Sequence, residues 1–347
     1  MIRHDFHSDT QTRPGRAMLA SVLDAPLGDE QLGEDPTTRR LEERVAELLG
    51  KEAAVFLPSG TMCNEIAIAV HCRPGDAVIC ARRSHVVTAE GGGPAALAGV
   101  MVHPLDDPRG ILDPGSIRAA IAPQGRYAPR SRLLCVEQTV NREGGVVWPV
   151  AALDAAAGAA RGAGLATHMD GARLMNAVVR SGVPAARMAA GYDSVWLDFT
   201  KGLGAPIGAV LAGSRDFVAE AWRLKQRWGG AMRQSGVAAA MCLYALDNNV
   251  ERLAEDHALA GRIAAAIADL PGVARILPVE TNIVIFETAE GWPDAPALLA
   301  ALARDGIRIS AFGPRLLRAV THLDVGPRAA EALVAALARH LGPRARA

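Results

Sequence analysis

Ser194-Val195-Trp196-Leu197-Asp198-Phe199-Thr200-Lys201-Gly202-Leu203-Gly204-Ala205-Pro206 reads as an apolar strand running straight into a Thr-Lys-Gly turn. The turn sets one lysine at the carboxyl end of a buried strand, with small residues leaving room beside it. A second strand end lies upstream, in Leu165-Ala166-Thr167-His168-Met169-Asp170-Gly171-Ala172-Arg173. Sheets built of alternating strands and helices bind their ligands beyond the carboxyl ends of the strands. An amine on one such end and a carboxylate on another suit pyridoxal phosphate (PLP). Lys201 can form a Schiff base with the aldehyde, and Asp170 can keep the ring nitrogen protonated, so that the ring draws electrons. Taken singly, Lys201 is as readily a solvated loop lysine and Asp170 a turn former. It is the pair, in this order and setting, that points to the cofactor.

Working outward, short apolar runs bounded by Gly, Pro or Asp recur at Ala53–Leu57, Ala77–Cys80, Val100–Pro104, Arg132–Val136, Leu165–Met169, Ser194–Asp198 and Ala209–Ala212. Helical patterns lie between many of them. In Arg40–Leu49 the residues Leu41, Val45, Leu48 and Leu49 share a face; Asp35 suits the N-cap, Pro36 the first turn and Gly50 the stop. Strands alternating with helices predict an α/β fold with a large, doubly wound, mostly parallel seven-stranded sheet. The pattern changes near Leu246. A helical stretch over Gly236–Leu270, a strand at Asn282–Phe286, a helix at Ala295–Asp305, short strands at Ile307–Ile309 and Leu316–Val320, and a helix at Pro327–Leu341 predict a smaller α/β domain. The expected division is residues 1–245, an N-terminal arm and large domain, and residues 246–347. Pro343-Arg344-Ala345-Arg346-Ala347 reads as a frayed tail.

A chain of 347 residues can bury a large core, and with 50% hydrophobic but only 4% aromatic residues that core must be mostly aliphatic. Lys and Arg balance Asp and Glu at zero net charge, which argues against nucleic acid or an anionic membrane as a partner. The five cysteines are odd in number and show no Cys-x-x-Cys spacing, as expected of reduced thiols in a cytoplasmic protein without a zinc site. No apolar run approaches the roughly 20 residues of a membrane span, and Met1-Ile2-Arg3-His4-Asp5 lacks the apolar core of a signal peptide.

Pro58-Ser59-Gly60-Thr61-Met62 ends a strand and opens a helix. The N–H groups of Gly60, Thr61 and Met62 and the hydroxyls of Ser59 and Thr61 would make a phosphate cradle at the helix start. Ser-Gly-Thr also opens many ordinary helices, so the reading leans on Lys201 and Asp170. His85 follows a strand and could lie on a pyridine ring or move protons; a surface histidine in a basic turn is the plain alternative. Arg173 could reach the cofactor's phenolic oxygen or a substrate carboxylate, or could simply be a solvated arginine at a helix start. Arg318 is a charge inside the apolar strand Leu316–Val320 and needs a partner. An amino-acid carboxylate would serve, and so would a structural salt bridge.

With these residues in place, the chain resembles the L-threonine aldolase family of fold-type I PLP enzymes along nearly its whole length. The matching stretches are Ser8-Asp9-Thr10-Gln11-Thr12-Arg13-Pro14, Gly33-Glu34-Asp35-Pro36-Thr37, Pro58–Met62, His168–Arg173, Lys201–Pro206, Gly229-Gly230-Ala231-Met232-Arg233-Gln234 and Val320-Thr321-His322-Leu323-Asp324-Val325. The resemblance implies that Lys201 is the Schiff-base lysine, Asp170 the pyridinium partner, and His85 the group over the ring. It implies that Gly60 and Thr61 hold the phosphate, beside the Ser59 hydroxyl already read as a donor, and that Ser8, Arg173 and Arg318 hold the substrate carboxylate. It also implies that Arg233 reaches the phosphate in a neighbouring subunit of a homo-oligomer, a dimer of dimers. Four positions depart from the family's pattern. Val140, in Gln138-Thr139-Val140-Asn141, stands where a histidine contacts the substrate hydroxyl. Leu32 replaces a common tyrosine, Gln226 a basic residue, and Ala89 a bulky aromatic. The expected reaction is retro-aldol cleavage of L-threonine, L-allo-threonine or a related β-hydroxy-α-amino acid to glycine and an aldehyde. Lys201, His85 and Asp170 are the catalytic candidates, and Val140, Leu32 and Ala89 make the β-side wall smaller and less polar. The alternatives are β-elimination or transamination on a related amino acid, and a non-catalytic PLP-binding regulator.

Overall fold

The computed structural model describes residues 1–343; the arginine-rich end from Arg344 onward lies outside them. All seven expected strands form one sheet, in the order Ala53–Leu57, Ala209–Gly213, Ser194–Asp198, Ala166–Asp170, Ser131–Glu137, Ala77–Ala81, Met101–Leu105. Ala209–Gly213 runs antiparallel to both its neighbours, and the other pairs are parallel. The side-chain alternation of a strand explains why both faces need covering. Ala54 and Phe56 belong to one hydrophobic cluster and Val55 and Leu57 to another; Leu134 and Val136 likewise separate from Leu133 and Cys135. Pro36–Leu49 and Gly236–Asn248 contribute to the core on one face, Gly60–His71 and Arg215–Arg227 to that on the other. The five cysteines are free and buried.

Helix ends follow their sequence signals. Asp35 Oδ1 accepts the Thr38 N–H at 2.8 Å, Pro36 opens the helix, and Gly50, at φ 63°, closes it. The stretch expected as one helix over Gly236–Leu270 is two, Gly236–Asn248 and Leu253–Ile267. Asn249 sits at the break and donates from Nδ2 to Leu203 O at 2.7 Å, which pins the loop that follows Lys201.

A second, antiparallel sheet has the order Ser310–Ala311, Leu316–Val320, Ile283–Thr288, Val273–Ile276. The N-terminal arm reaches this part of the chain. His4–Asp5 pairs in parallel with Ile307–Arg308, and Phe6 O accepts the Val320 N–H at 2.9 Å. The arm thereby carries Ser8 and Asp9 to the place where the two sheets meet. No helix among the described residues is long and apolar enough to cross a membrane.

Candidate active site

The carboxyl ends of the large sheet's central strands open into a cavity of ≈ 440 Å³. Ser8, Ser59, Gly60, Thr61, His85, Asp170, Arg173, Lys201 and Arg318 all line it, so the structure gathers nine of the expected site residues from widely separated segments. Arg233 does not line it. That side chain is well exposed and donates to Asp29 Oδ2 at 2.8 Å.

The cradle is built by the start of the helix Gly60–His71. Ser59 Oγ caps it by accepting the Met62 N–H at 3.3 Å, so Met62 is not among the outward donors that the sequence suggested. Gly60 has a reason the sequence did not show: a Cβ there would lie 2.2 Å from the Trp196 indole, which packs directly beneath it. Lys201 Nζ lies 5.6 Å from that ring and forms an ion pair with Asp198, whose carboxylate also accepts from Thr200.

Asp170 ends its strand fully buried. Oδ1 accepts the Ala172 N–H at 3.0 Å and Oδ2 accepts from Asn64 Nδ2 at 2.9 Å. Burial raises its carboxyl above the ordinary value, against the opposing pull of His85 and the Asn64 bond. His85 Nδ1 lies 2.7 Å from Glu90 Oε1, and its backbone N–H donates to Glu137 Oε2 at 2.7 Å. Burial alone would lower the imidazole. The Glu90 bond and the Asp170 and Glu137 charges outweigh it and leave His85 raised. Glu137 is itself pushed up to about 7, by burial first and by Asp170 second.

The two arginines differ in kind. Arg173 grips Asp9 through Nε at 2.8 Å and a terminal nitrogen at 2.6 Å, and Asn282 donates to the same carboxylate at 3.1 Å. The guanidinium beside it holds the Asp9 carboxyl well below the usual range, despite burial. Arg318 is equally buried but has only neutral partners: Ser310 Oγ at 3.1 Å, Asn141 Oδ1 at 2.8 Å and His7 O at 2.9 Å, with the Phe312 ring 4.6 Å from Cζ. Among the described residues no carboxylate makes a salt bridge with it. Burial, and then Arg173, lower it to about 10, so it stays charged at neutral pH.

Three of the four departures from the family pattern lie outside this chain's cavity. Val140 points into the core rather than the cavity. It is buried, bridges Val146 through its backbone, and would meet a Cβ on Gly110 at 2.7 Å. Leu32 is 70% exposed and lies outside the cavity, and Gln226 is also exposed away from it. Ala89 does line the cavity, with Thr88, Asn141, Arg142 and Phe312. Sequence reasoning missed Asp9, Glu90, Glu137 and Asp198. Asp9 stood within a matching motif, and Asp198 and Glu137 at strand ends; Glu90 carried no local signal.

Comparison with known proteins identifies the family. Residues 5–290 match the beta-eliminating lyase family. The low specificity L-threonine aldolase of Escherichia coli K12 is 40% identical over 322 residues, 92% of this chain and 94% of that protein. A probable low-specificity L-threonine aldolase of Arabidopsis thaliana is 41% identical over 293 residues, 82% of each. In fold, the Leishmania major threonine aldolase superposes with a TM-score of 0.83 at 22% identity, over 98% of this chain and all of that one. A serine palmitoyltransferase of Sphingomonas wittichii superposes at 0.75, over 97% and 86%. The chain belongs to the L-threonine aldolases of the beta-eliminating lyase family.

Proposed function

We propose that this protein cleaves L-threonine, L-allo-threonine or a related β-hydroxy-α-amino acid to glycine and an aldehyde, with pyridoxal phosphate as cofactor. The observation that carries the reading is the single cavity that joins a lysine amine, a buried strand-end carboxylate, a helix N-terminus and a buried arginine without a counter-ion. That donor set fits the cofactor group by group. The amine suits its aldehyde, the carboxylate its ring nitrogen, and the cradle its phosphate.

When bound, pyridoxal phosphate supplies an aldehyde for amines to condense with and a protonated ring that draws electrons from the bond being broken. Lys201 Nζ would hold the cofactor through that aldehyde, and Asp170 would keep the ring nitrogen protonated. Ser59, Gly60 and Thr61 bind the phosphate. Arg318, helped by Ser8 and by Arg173, binds the substrate carboxylate and so orients the bonds at Cα. His85 would stand beside the cofactor, and its Nε2 would take the proton of the β-hydroxyl, because its Nδ1 is tied to Glu90.

Arg233 serves the phosphate site of a neighbouring subunit in a homo-oligomer, a dimer of dimers working in the cytoplasm. In support, its guanidinium stands outside the cavity of its own chain, held by Asp29, and all five cysteines are unpaired. Incubation with L-threonine, L-allo-threonine and phenylserine should release glycine with the matching aldehyde. Release of ammonia with a keto acid instead would make the reaction an elimination and overturn the proposal.

A further inference from the structure

Behind His85 lies a buried polar cluster, of which the proposed reaction uses only the Glu90 contact to Nδ1. Glu65, in the helix Gly60–His71, and Glu90, ahead of the helix Gly93–Ala98, are 3% and 8% exposed. Glu90 Oε1 accepts from Asn64 Nδ2 at 2.6 Å and faces His85 Nδ1. Three carboxylate oxygens beside it, both of Glu65 and Oε2 of Glu90, are buried with no donor. Gly93 closes the space, since a Cβ there would lie 1.9 Å from Glu65 Oε1. Two buried carboxylates in contact cannot both stay ionised without a donor between them. A proton supplies that donor. Burial, and then the bond to Glu90 and its charge, push the Glu65 carboxyl up to about 9.

We infer that Glu65 and Glu90 share one proton, and that the singly charged pair holds His85 by Nδ1 so that Nε2 faces the cavity. Glu90 and Glu65 are positioning residues in this arrangement. The inference rests on His85 acting as the base.

The cluster has no slack. Asn64 Oδ1 accepts from Trp196 Nε1 at 2.7 Å and lies 3.1 Å from His168 Nε2, which fixes the amide with its two N–H groups toward Glu90 and Asp170. One amide thus bridges the carboxylate behind the base and the carboxylate under the ring nitrogen. The charged groups acting on His85 are Glu90, Asp170 and Glu137, and Lys201 acts on Asp170. With one proton on the pair, Glu90 offers His85 a single negative charge. With none, two charges would press on the imidazole and hold it protonated, where it cannot accept a proton from a hydroxyl.

The test is infrared spectroscopy of the holoenzyme. Near roughly pH 8, Glu137 and Glu42, both at about 7, are mostly ionised while Glu65, at about 9, is not. The spectrum should show the carbonyl stretch of a buried protonated carboxyl. It should shift in heavy water, fade as the pH is raised past that of Glu65, and be missing from Glu65→Gln. The titration of the wild type alone decides the matter if the variant does not fold. Absence of the band, or its survival in Glu65→Gln, overturns the shared proton; so does a bound cation that takes its place among the His85, Glu90 and Asp170 atoms, which lie within 4.8 Å of one another. Glu90→Gln should move the acid limb of kcat/KM to lower pH by about 1 unit, because His85 loses the charge that raises it. An unmoved limb overturns the hold on His85. Failure to form glycine from any β-hydroxy amino acid, with the band intact, would instead sink the assigned reaction and leave the carboxyl pair standing.

Discussion

Replacing Arg318 separates a substrate clamp from a structural charge. A guanidinium carries five N–H groups, and three nitrogens here make bonds to Ser310, Asn141 and His7. One N–H on each terminal nitrogen is left, which matches the two oxygens of a carboxylate. Arg173, by contrast, has already given Nε and one terminal nitrogen to Asp9. Hydrogen bonds to a charged group are worth about 1.5–3 kcal/mol each. Allowing for the substrate's own desolvation, loss of the pair should cost about 3 kcal/mol, on the order of a hundredfold in kcat/KM. Arg318→Lys keeps the charge but not the fork, and Arg318→Met removes both. Arg318→Met also strands the Asn141 and His7 oxygens, so its thermal unfolding should be followed alongside. Steady-state glycine release from L-threonine gives the ratio of wild type to variant. The same ratio on threonine amide, which lacks the carboxylate charge, should fall to within a few-fold. An equally large ratio on the amide, or KM little changed on the acid, would refute the clamp and leave Arg318 a structural residue of its sheet.

Lys201→Ala should leave the protein colourless, and borohydride followed by peptide mapping of the wild type should place the label on Lys201; label on Lys51 or Lys225 would sink the assignment. Mixing inactive Lys201→Ala with inactive Arg233→Ala subunits should restore part of the activity, because a hybrid carries one site with both residues; an active monomer by light scattering would contradict the assembly. Ala89 leaves space on the β-side of the cavity, so relative kcat/KM should favour phenylserine over threonine, and Ala89→Phe should reverse that order; a wild type that strongly prefers threonine would refute the reading of this wall.

The strands of the large sheet were legible because each is a short apolar run closed by a turn residue, and the expected bounds shift by a residue or two at most. The edge strand Val273–Ile276 was not, since its half-exposed Val-Ala-Arg-Ile carries no clean alternation. The helix break before Leu253 escaped because Val250-Glu251-Arg252 holds neither Gly nor Pro; Asn249 supplies the stop through a tertiary bond to Leu203. In the site, Lys201, Asp170 and the helix start at Ser59-Gly60-Thr61 were legible because several such ends point to one cofactor together, where each alone has a plain alternative. Glu90, Glu137 and Asp9 act through neighbours that are remote in sequence, and no local pattern announces such a meeting. Val140 shows the converse. Its motif position suggested the cavity, but its pairing with Val146 and its fit against Gly110 turn it inward. The proposed reaction therefore assigns the hydroxyl contact to His85, which does line the cavity.

The N-terminal arm gives the enzyme a timetable. Phe6 O waits for the amide of Val320, His7 O for the guanidinium of Arg318, and His4–Asp5 for the strand Ile307–Arg308. His7 and Arg318 stand 311 residues apart, so these contacts join distant stretches of the chain. Closures across so long a stretch of chain are slow to form. Until they close, Arg318 lacks the His7 oxygen that holds one of its terminal nitrogens. On refolding, catalytic activity should therefore return later than the large sheet forms, because the guanidinium of Arg318 is set by an oxygen of the arm.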